Sequence, residues 1–168
     1  AALELGVSTP CIDAAVGARL VSSFWAERQQ LASVLSISFN ESPSLSIELY
    51  QLEQAAWIAK ICAYIQGFDL IKQGSQVYGW NIQIADLVRV WSHGCIIRGS
   101  ILNLFFSHSD GSPGDKAIDI SEVRNSLLES VPAARGIAQL ATKASIPIPS
   151  ITGALTWFDS ISSARLPH

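Results

Sequence analysis

The sequence is short of several features that would identify a function at once. Its 168 residues contain no methionine, only three cysteines and few charged side chains, which make up 15% of the chain. The cysteines are odd in number and form no CxxC pair, so neither a disulfide framework nor a zinc site is indicated. Lysine and arginine do not cluster, and the net charge is -3, which argues against a nucleic-acid partner. We expect no metal site, and buried, reduced thiols in a cytoplasmic protein.

Apolar residues are abundant and account for 49% of the chain. With so few charged side chains, part of the protein surface has to be apolar, and we expect a partner subunit or another domain to cover some of it. The longest apolar region, residues 49–71, contains Glu53, Lys60 and Asp69, and these charges argue against a membrane span. The chain opens on the helix-like AALELG and stops at ARLPH, so we expect a piece cut from a longer protein.

Nearly every long segment has the period of an α-helix. A short helix closes at Gly6, and the next begins at Pro10, with Thr9 as its N-cap, and reaches about residue 35. A proline-free helix spans residues 44–79, about 50 Å, and is apolar on several sides, which is typical of a central helix. Asn81 caps a helix that carries Trp91. More helices are predicted over 95–106, 121–130, 132–144 and 149–165, with loops at 38–44 and 107–115. Residues 1–168 are therefore predicted to form one all-α domain, a multi-helix bundle around one long helix.

The segment WSHGCIIRG, residues 91–99, groups several reactive side chains. His93 and Cys95 are two residues apart and would point about 200° away from each other on a helix, so they cannot form a nucleophile–base pair there. Two isoleucines follow Cys95, which favours a buried thiol with little reactivity. Arg98 lies on or beside the apolar face and is expected to have an anionic or carbonyl partner. The segment is predicted to be packing rather than a catalytic centre.

Arg19 is the sharper candidate. It lies three residues after Val16 and four before Ser23, which places a permanent cation in the predicted inward stripe of Ile12, Val16, Leu20 and Phe24. Two interpretations remain open. Arg19 could form a structural ion pair with a carboxylate on another helix, or it could bind a phosphate or carboxylate ligand through its two-pronged guanidinium.

Other candidates are weaker. Two histidines, in a polar loop and at the last position, are expected to be solvated: His108 and His168. Four carboxylates occur without a second carboxylate at helical spacing: Asp13, Glu53, Asp69 and Asp159. No glycine-rich phosphate loop follows a strand, so no dinucleotide site is predicted within the chain. We therefore predict no catalytic residue here.

Several quoted segments resemble one family. AKICAYIQGFDLIKQGSQVYGWNIQIADLVRVW, followed by GCIIR, is similar to the C-terminal helical domain of decarboxylating 6-phosphogluconate dehydrogenase. ALELGV, AAVGARLVSS and IPIPSITGALTWFDSISSARLP occur in the family's order and extend the resemblance over almost the whole chain; residues 106–142 match poorly. The resemblance implies oxidative decarboxylation of 6-phosphogluconate to ribulose 5-phosphate with NADP, in the pentose phosphate pathway. It also implies a homodimer in which this domain forms one wall of the substrate site.

The resemblance assigns Arg19 to binding the substrate phosphate, because it matches the arginine of the family's FAR.LSS motif. Gly17 stands where the family has phenylalanine, and Asp13 is a nearby carboxylate that could compete for the charge of Arg19. Ser92 and His93 stand where the family usually has Arg-Gly, so local packing beside Trp91 must differ. The family's NADP-binding domain, its catalytic lysine and glutamate, and its C-terminal tail match no part of this chain, so the chain alone is expected to be inactive.

Two further hypotheses stay open. The chain could be a non-catalytic helical scaffold that keeps the family fold, which the departures at Gly17 and Ser92-His93 favour slightly. It could also belong to a sister dehydrogenase for another small hydroxy acid, since Arg19 with Ser23 favours an anionic substrate without naming it. A parent gene that encodes a nucleotide-binding domain with the catalytic lysine and glutamate would decide for the enzyme.

Overall fold

The computed structural model describes residues 1–35, 47–106 and 116–166. The helices in these ranges are α1 (Pro10–Ser23), α2 (Trp25–Leu35), α3 (Leu49–Tyr78), α4 (Ile84–Gly94), α5 (Leu102–Phe106), α6 (Ser121–Lys143) and α7 (Pro149–Ser162). A short 3-10 helix, Ala117–Asp119, precedes α6. No strand occurs in the described ranges, and the predicted all-α fold is confirmed. The predicted loops at 38–44 and 107–115, with His108 and His168, lie outside the described residues.

Helix α3 is the centre of the bundle, as its apolar sides predict. It has 30 residues, about 45 Å at the rise of an α-helix, and α6, α7 and α1 all pack against it. It begins at Leu49 rather than at residue 44, since Ile47 and Glu48 are not helical. Gly79 ends it in the left-handed conformation with φ 66°, as predicted. In the part of the chain that the structure describes, no helix is long and apolar enough to cross a membrane.

Helix α6 runs unbroken through Pro132, so the prediction of two separate helices was wrong. Proline cannot donate a backbone hydrogen bond and usually breaks a helix interior at a cost of about 3 kcal/mol. Here the turns before Pro132 are fixed by α3: the Ser130 hydroxyl lies 2.8 Å from Oε1 of Gln54, and Nε1 of Trp57 donates to the Ser126 hydroxyl at 2.8 Å. After the proline, Ala134 and Ile137 are buried in the core. Pro132 itself is exposed, so water can solvate the carbonyl that its ring leaves unpaired.

The chain before α3 departs from its prediction at two places. The predicted AALELG helix is a single turn, closed as expected by Gly6 at φ 66°. The single helix predicted over residues 10–35 is interrupted at Phe24, whose ψ of 50° separates α1 from α2. The two helices are therefore free to lie at an angle to each other.

The segment around α4 contains the aromatic part of the core. Tyr64 and Phe68 of α3 pack with Trp91 and Phe105, and the closest pair, Phe68 and Phe105, has ring centroids 4.9 Å apart. Asn81 is not the cap of α4, because that position belongs to Gln83 and Asn81 adopts φ 53°. Such left-handed backbone is tolerated by asparagine and cannot form an N-cap.

The predicted helix over 95–106 is mostly absent, since α4 ends at Gly94 and α5 begins only at Leu102. Cys95 is extended, and the Tyr64 hydroxyl donates to the carbonyl of Ile97. In a helix, the carbonyl of Ile97 would accept a backbone N–H, but here it accepts the hydroxyl of Tyr64 from α3. Ile97 is therefore exposed instead of joining the core with Ile101 and Phe105.

Helix α7 closes the bundle against both α1 and α6. It begins at Pro149 as predicted and ends at Ser162, three residues before the predicted end. Arg135 of α6 and Asp159 of α7 form a two-pronged ion pair, with Nη1 and Oδ2 at 3.1 Å. Gly153 lies so close to α1 that an added Cβ would stand 2.9 Å from the carbonyl oxygen of Pro10. The glycine is therefore what permits the close approach of α1 and α7.

Candidate functional site

The candidate site is the outer part of α1, where Arg19 lies. The predicted inward stripe is wrong beyond its first member: Val16, Leu20 and Phe24 are 54%, 57% and 49% exposed. Arg19 is exposed as well. The physical reason is that α3 and α7 cover only the first turns of α1, so a helical period in the sequence does not find a partner along its whole length.

No described carboxylate forms an ion pair with the guanidinium of Arg19. The prediction that Asp13 competes for this charge is not supported, because Asp13 Oδ2 accepts a hydrogen bond from the Thr9 hydroxyl at 3.0 Å. The structural ion pair with another helix therefore finds no partner among residues 1–35, 47–106 and 116–166. The guanidinium is left available to an anion.

The neighbouring hydroxyls are used within the helix. Ser23 Oγ donates to the carbonyl of Leu20 at 2.6 Å, and Ser22 Oγ donates to the carbonyl of Arg19 at 2.8 Å. Each hydroxyl proton is thus engaged, and Ser23 would have to break its bond to donate to a ligand. Arg28 of α2 lies over the Trp25 ring, 5.4 Å from its centroid. Arg19 is therefore the group in this region best placed to bind an anion.

Gly17 stands beside this region in open space. A Cβ placed there would meet nothing within 4 Å. No described side chain lies next to a Cβ at this position, so none takes the place of the phenylalanine that the family resemblance implies here.

The base of α1, by contrast, is tightly held. Thr9 precedes the helix but makes no capping bond, so the predicted N-cap role of its side chain is wrong. Instead the backbone N–H of Cys11 donates to Oε1 of Gln66 on α3 at 3.0 Å. Sγ of Cys11 also lies 3.2 Å from the carbonyl oxygen of Ala59 and 3.4 Å from that of Ser150. Residues from α3 and α7 therefore fix the first turn of the helix that carries Arg19.

Sequence reasoning missed Gln66. The signal that could have found it is a lone glutamine inside the apolar run ICAYIQGF, residues 61–68. A polar side chain at such a position is buried and needs a specific partner. Its side chain is fully buried in the structure.

The segment 91–99 does not form a catalytic arrangement. Trp91 packs in the core, and His93 is exposed, with Nδ1 2.9 Å from the carbonyl oxygen of Arg89 in the preceding turn of α4. Ser92 bonds back to Val88 in the same way. The imidazole therefore runs along its own helix and needs no room beside Trp91.

Two expectations for this segment were wrong. Cys95 is only partly buried, because the chain leaves the helix there. Arg98 is exposed, and neither a carboxylate nor a carbonyl in the described ranges accepts a bond from its guanidinium. The non-helical course of residues 95–101 turns Arg98 away from the apolar face on which its spacing placed it.

The other titratable groups are structural. Burial raises the pKa of Cys11 to about 11, and burial with the nearby Cys11 raises the pKa of Cys62 to about 12. Both are buried free thiols, as predicted. Burial also raises the pKa of Asp69 on α3, while the charges of Lys116 and Lys72 act in the opposite direction. Glu53 is exposed. Over the described ranges, no group of three or more histidine, cysteine or acidic side chains is placed to hold a metal ion.

Comparison with known proteins agrees over the whole chain. The family model for the C-terminal domain of 6-phosphogluconate dehydrogenase matches residues 1–168. Decarboxylating 6-phosphogluconate dehydrogenases are 37% identical in Synechococcus elongatus, over 170 residues, and 33% identical in Lactococcus lactis, over 178 residues. Each alignment covers 99% of this chain and 36% of the relative.

A solved structure gives the same result. Plasmodium falciparum 6-phosphogluconate dehydrogenase, studied in its apo form and in complex with its cofactor NADP+ and its substrate 6-phosphogluconate, superposes with a TM-score of 0.82 at 30% identity. The match covers 99% of this chain and 36% of that one. The chain thus spans about a third of the length of its relatives. It belongs to the 6-phosphogluconate dehydrogenase family and corresponds to the C-terminal, all-helical domain of that family.

Proposed function

We propose that this chain is the dimerisation and substrate-wall domain of an NADP-dependent 6-phosphogluconate dehydrogenase. The whole protein would oxidatively decarboxylate 6-phosphogluconate to ribulose 5-phosphate in the cytoplasm. The family match over residues 1–168 carries this proposal. The described residues contain no strand followed by a glycine-rich loop, so they do not suit the nucleotide, and we expect NADP to be held by other parts of the protein. Residues 1–168 alone should be inactive.

Arg19 is the residue through which this domain would contact the substrate. Its guanidinium is exposed, and no described carboxylate neutralises it. A guanidinium binds phosphate through two parallel hydrogen bonds, so it can fix both the position and the orientation of a phosphorylated sugar acid. A phosphate contact remote from the reacting carbons is made alike in the ground state and the transition state, so it contributes mainly to substrate affinity.

The test is NADP reduction with 6-phosphogluconate by the full-length protein and by its Arg19→Ala variant. We expect the substitution to raise KM for the substrate about tenfold or more, which is about 1.4 kcal/mol, the scale of one lost charged contact. Arg89→Ala is a matched control, because Arg89 is an exposed arginine on α4 that pairs with Asp86 in its own helix. An unchanged KM for Arg19→Ala would refute the phosphate role. A full-length protein that reduces no NADP would favour the non-catalytic scaffold.

The dimer rests on the exposed apolar side chains of α1 and α2. No residue of α2 is buried, and its apolar side chains include Trp25, Leu31 and Val34, which are 64%, 56% and 71% exposed. An isolated helix of 11 residues is marginal in water, because most helical stability in proteins comes from packing one face. A second copy of the chain that covers this surface would provide that packing.

Sedimentation velocity on the full-length protein tests the dimer. Leu31→Glu should shift the protein toward the monomer, since a charge would be buried in an apolar contact. Gln30→Glu adds the same charge next to it on the helix at a residue that is already polar and should leave the assembly unchanged. A dimer that is equally stable in both variants would place the interface elsewhere.

A further inference from the structure

A buried glutamine of the central helix holds the base of the helix that carries Arg19. Oε1 of Gln66 accepts a hydrogen bond from the backbone N–H of Cys11 at 3.0 Å, across 55 residues of sequence. Cys11 is the second residue of α1, so this N–H has no acceptor within its own helix. The Thr9 side chain does not accept a hydrogen bond from the N–H of Cys11, because the Thr9 hydroxyl bonds to Asp13. The cap of α1 therefore comes from α3.

The presence of a glutamine at this position needs an explanation beyond filling the core. Gln66 is fully buried, and its Nε2 has no hydrogen-bond partner among the described residues. A buried donor without a partner is unfavourable, so an apolar residue of similar volume would suit a purely structural position better. What methionine or leucine could not supply is the acceptor for Cys11. The bond from α3 to the first turn of α1 is thus the one interaction that only the polar side chain provides.

The rest of α1 depends on that first turn for its direction. Cys11 is buried, whereas Val16, Arg19 and Leu20, further along α1, are exposed. Arg19 lies eight residues beyond Cys11, about 12 Å along the helix axis. A tilt of about 5° at the base would move Arg19 by about 1 Å, enough to stretch its hydrogen bonds to a phosphate well beyond their usual length of about 2.7–2.9 Å.

We propose that Gln66 is the positioning residue of Arg19, because it caps α1 from α3 and so sets the direction in which α1 presents the guanidinium to the substrate phosphate. This inference rests on the proposed function of Arg19. Gln66 itself touches no substrate.

The test is Gln66→Met in the full-length protein, with KM and kcat measured for 6-phosphogluconate. Methionine keeps the length and volume of the side chain but removes the acceptor. We expect KM to rise about threefold to tenfold with kcat within about twofold, since the contact with the remote phosphate is displaced while the reacting groups stay in place. In the Arg19→Ala background the same substitution should have no further effect on KM, because its effect passes through Arg19.

Gln54→Met is the matched control. It is the same substitution on the same helix and also removes a hydrogen bond between helices, that of Gln54 Oε1 with the Ser130 hydroxyl on α6. It does not touch α1, so KM should stay unchanged even if the protein loses stability. Equal rises in KM for the two variants would show a general effect of loosening the bundle and would overturn the proposal.

The outcomes separate this inference from the function on which it rests. If Arg19→Ala leaves KM unchanged, the role of Arg19 falls, and the role of Gln66 falls with it. If Arg19→Ala raises KM but Gln66→Met does not, or if the two effects multiply in the double variant, only the positioning role is overturned. Should Gln66→Met fail to fold, Gln66→Leu decides by the same criteria, because leucine is also apolar and also lacks the acceptor for the N–H of Cys11.

Discussion

Replacing Gly153 by alanine tests the close contact between α1 and α7. The added Cβ would stand 2.9 Å from the carbonyl oxygen of Pro10 and 3.4 Å from Cβ of Ala14. The carbonyl belongs to the backbone of α1, whose first turn is fixed by Gln66, so it cannot rotate away as a flexible side chain would. The substitution should therefore push α1 and α7 apart.

Two effects of opposite sign determine how much Gly153→Ala changes the free energy of unfolding. Alanine favours a helix interior over glycine by about 1 kcal/mol, while overpacking a tight contact costs about 1–3 kcal/mol. Gly136→Ala isolates the first effect, because Gly136 is exposed in the interior of α6 and its added Cβ would meet nothing within 4 Å. We expect Gly136→Ala to stabilise the chain and Gly153→Ala to be less stable than Gly136→Ala by about 1–3 kcal/mol.

Urea denaturation of the 168-residue chain, followed by circular dichroism, measures the two differences in the free energy of unfolding. In thermal unfolding, the gap between the variants should be about 2–12 °C, at about 2–4 °C for each kcal/mol in a chain of this size. If Gly153→Ala stabilises the chain as much as Gly136→Ala, the close approach of α1 and α7 does not exist, and the argument that α1 is anchored at its base fails.

Two further predictions follow from the buried titratable groups. Asp69→Asn should raise the free energy of unfolding at pH 7, and the gain over the wild type should shrink as the pH falls toward about 4, where the carboxyl of the unfolded chain is also protonated. The sign follows because burial raises the pKa of Asp69 in the folded state, so the wild type loses stability as the pH rises from about 4 toward 7. Urea titrations at several pH values measure the difference in stability between the two proteins. A difference that does not depend on pH would contradict the prediction. Cys11 and Cys62, whose pKa values burial raises to about 11 and about 12, should resist iodoacetamide at pH 8 until urea unfolds the protein, since the thiolate is the reacting form. Mass spectrometry of the labelled peptides reads this out, and rapid labelling of either native thiol would show that it is not buried.

The sequence was sufficient for features that depend on local pattern. The central helix is apolar on several sides, and such a helix has to be buried wherever its neighbours come from, so its place in the bundle could be predicted. Gly79 and Pro149 mark helix ends because their backbone preferences act within a few residues. Fold class and family likewise followed from residues that lie in long, continuous segments.

Features that depend on distant partners could not be predicted in this way. Pro132 predicts a helix break, but contacts of Ser130 and Ser126 with α3 hold α6 together. The helical period of α1 predicts burial for Val16 and Leu20, but among the described residues they stay 54% and 57% exposed. Gln66 stayed unnoticed because its partner, the backbone of Cys11, is 55 residues away. Each of these errors has the same origin, since a sequence pattern shows which residue types occur where and not which groups from distant parts of the chain lie opposite them.

The contact of α1 with α7 also orders events during synthesis. The sulfur of Cys11 meets the carbonyl of Ser150 across 139 residues, and ribosomes add about 5–20 residues per second. The first turn of α1 therefore waits on the order of 10 s for the helix that completes its surroundings. During that interval the burial that raises the pKa of Cys11 is incomplete, so the thiol of the nascent chain is more open to oxidation than the thiol of the finished protein.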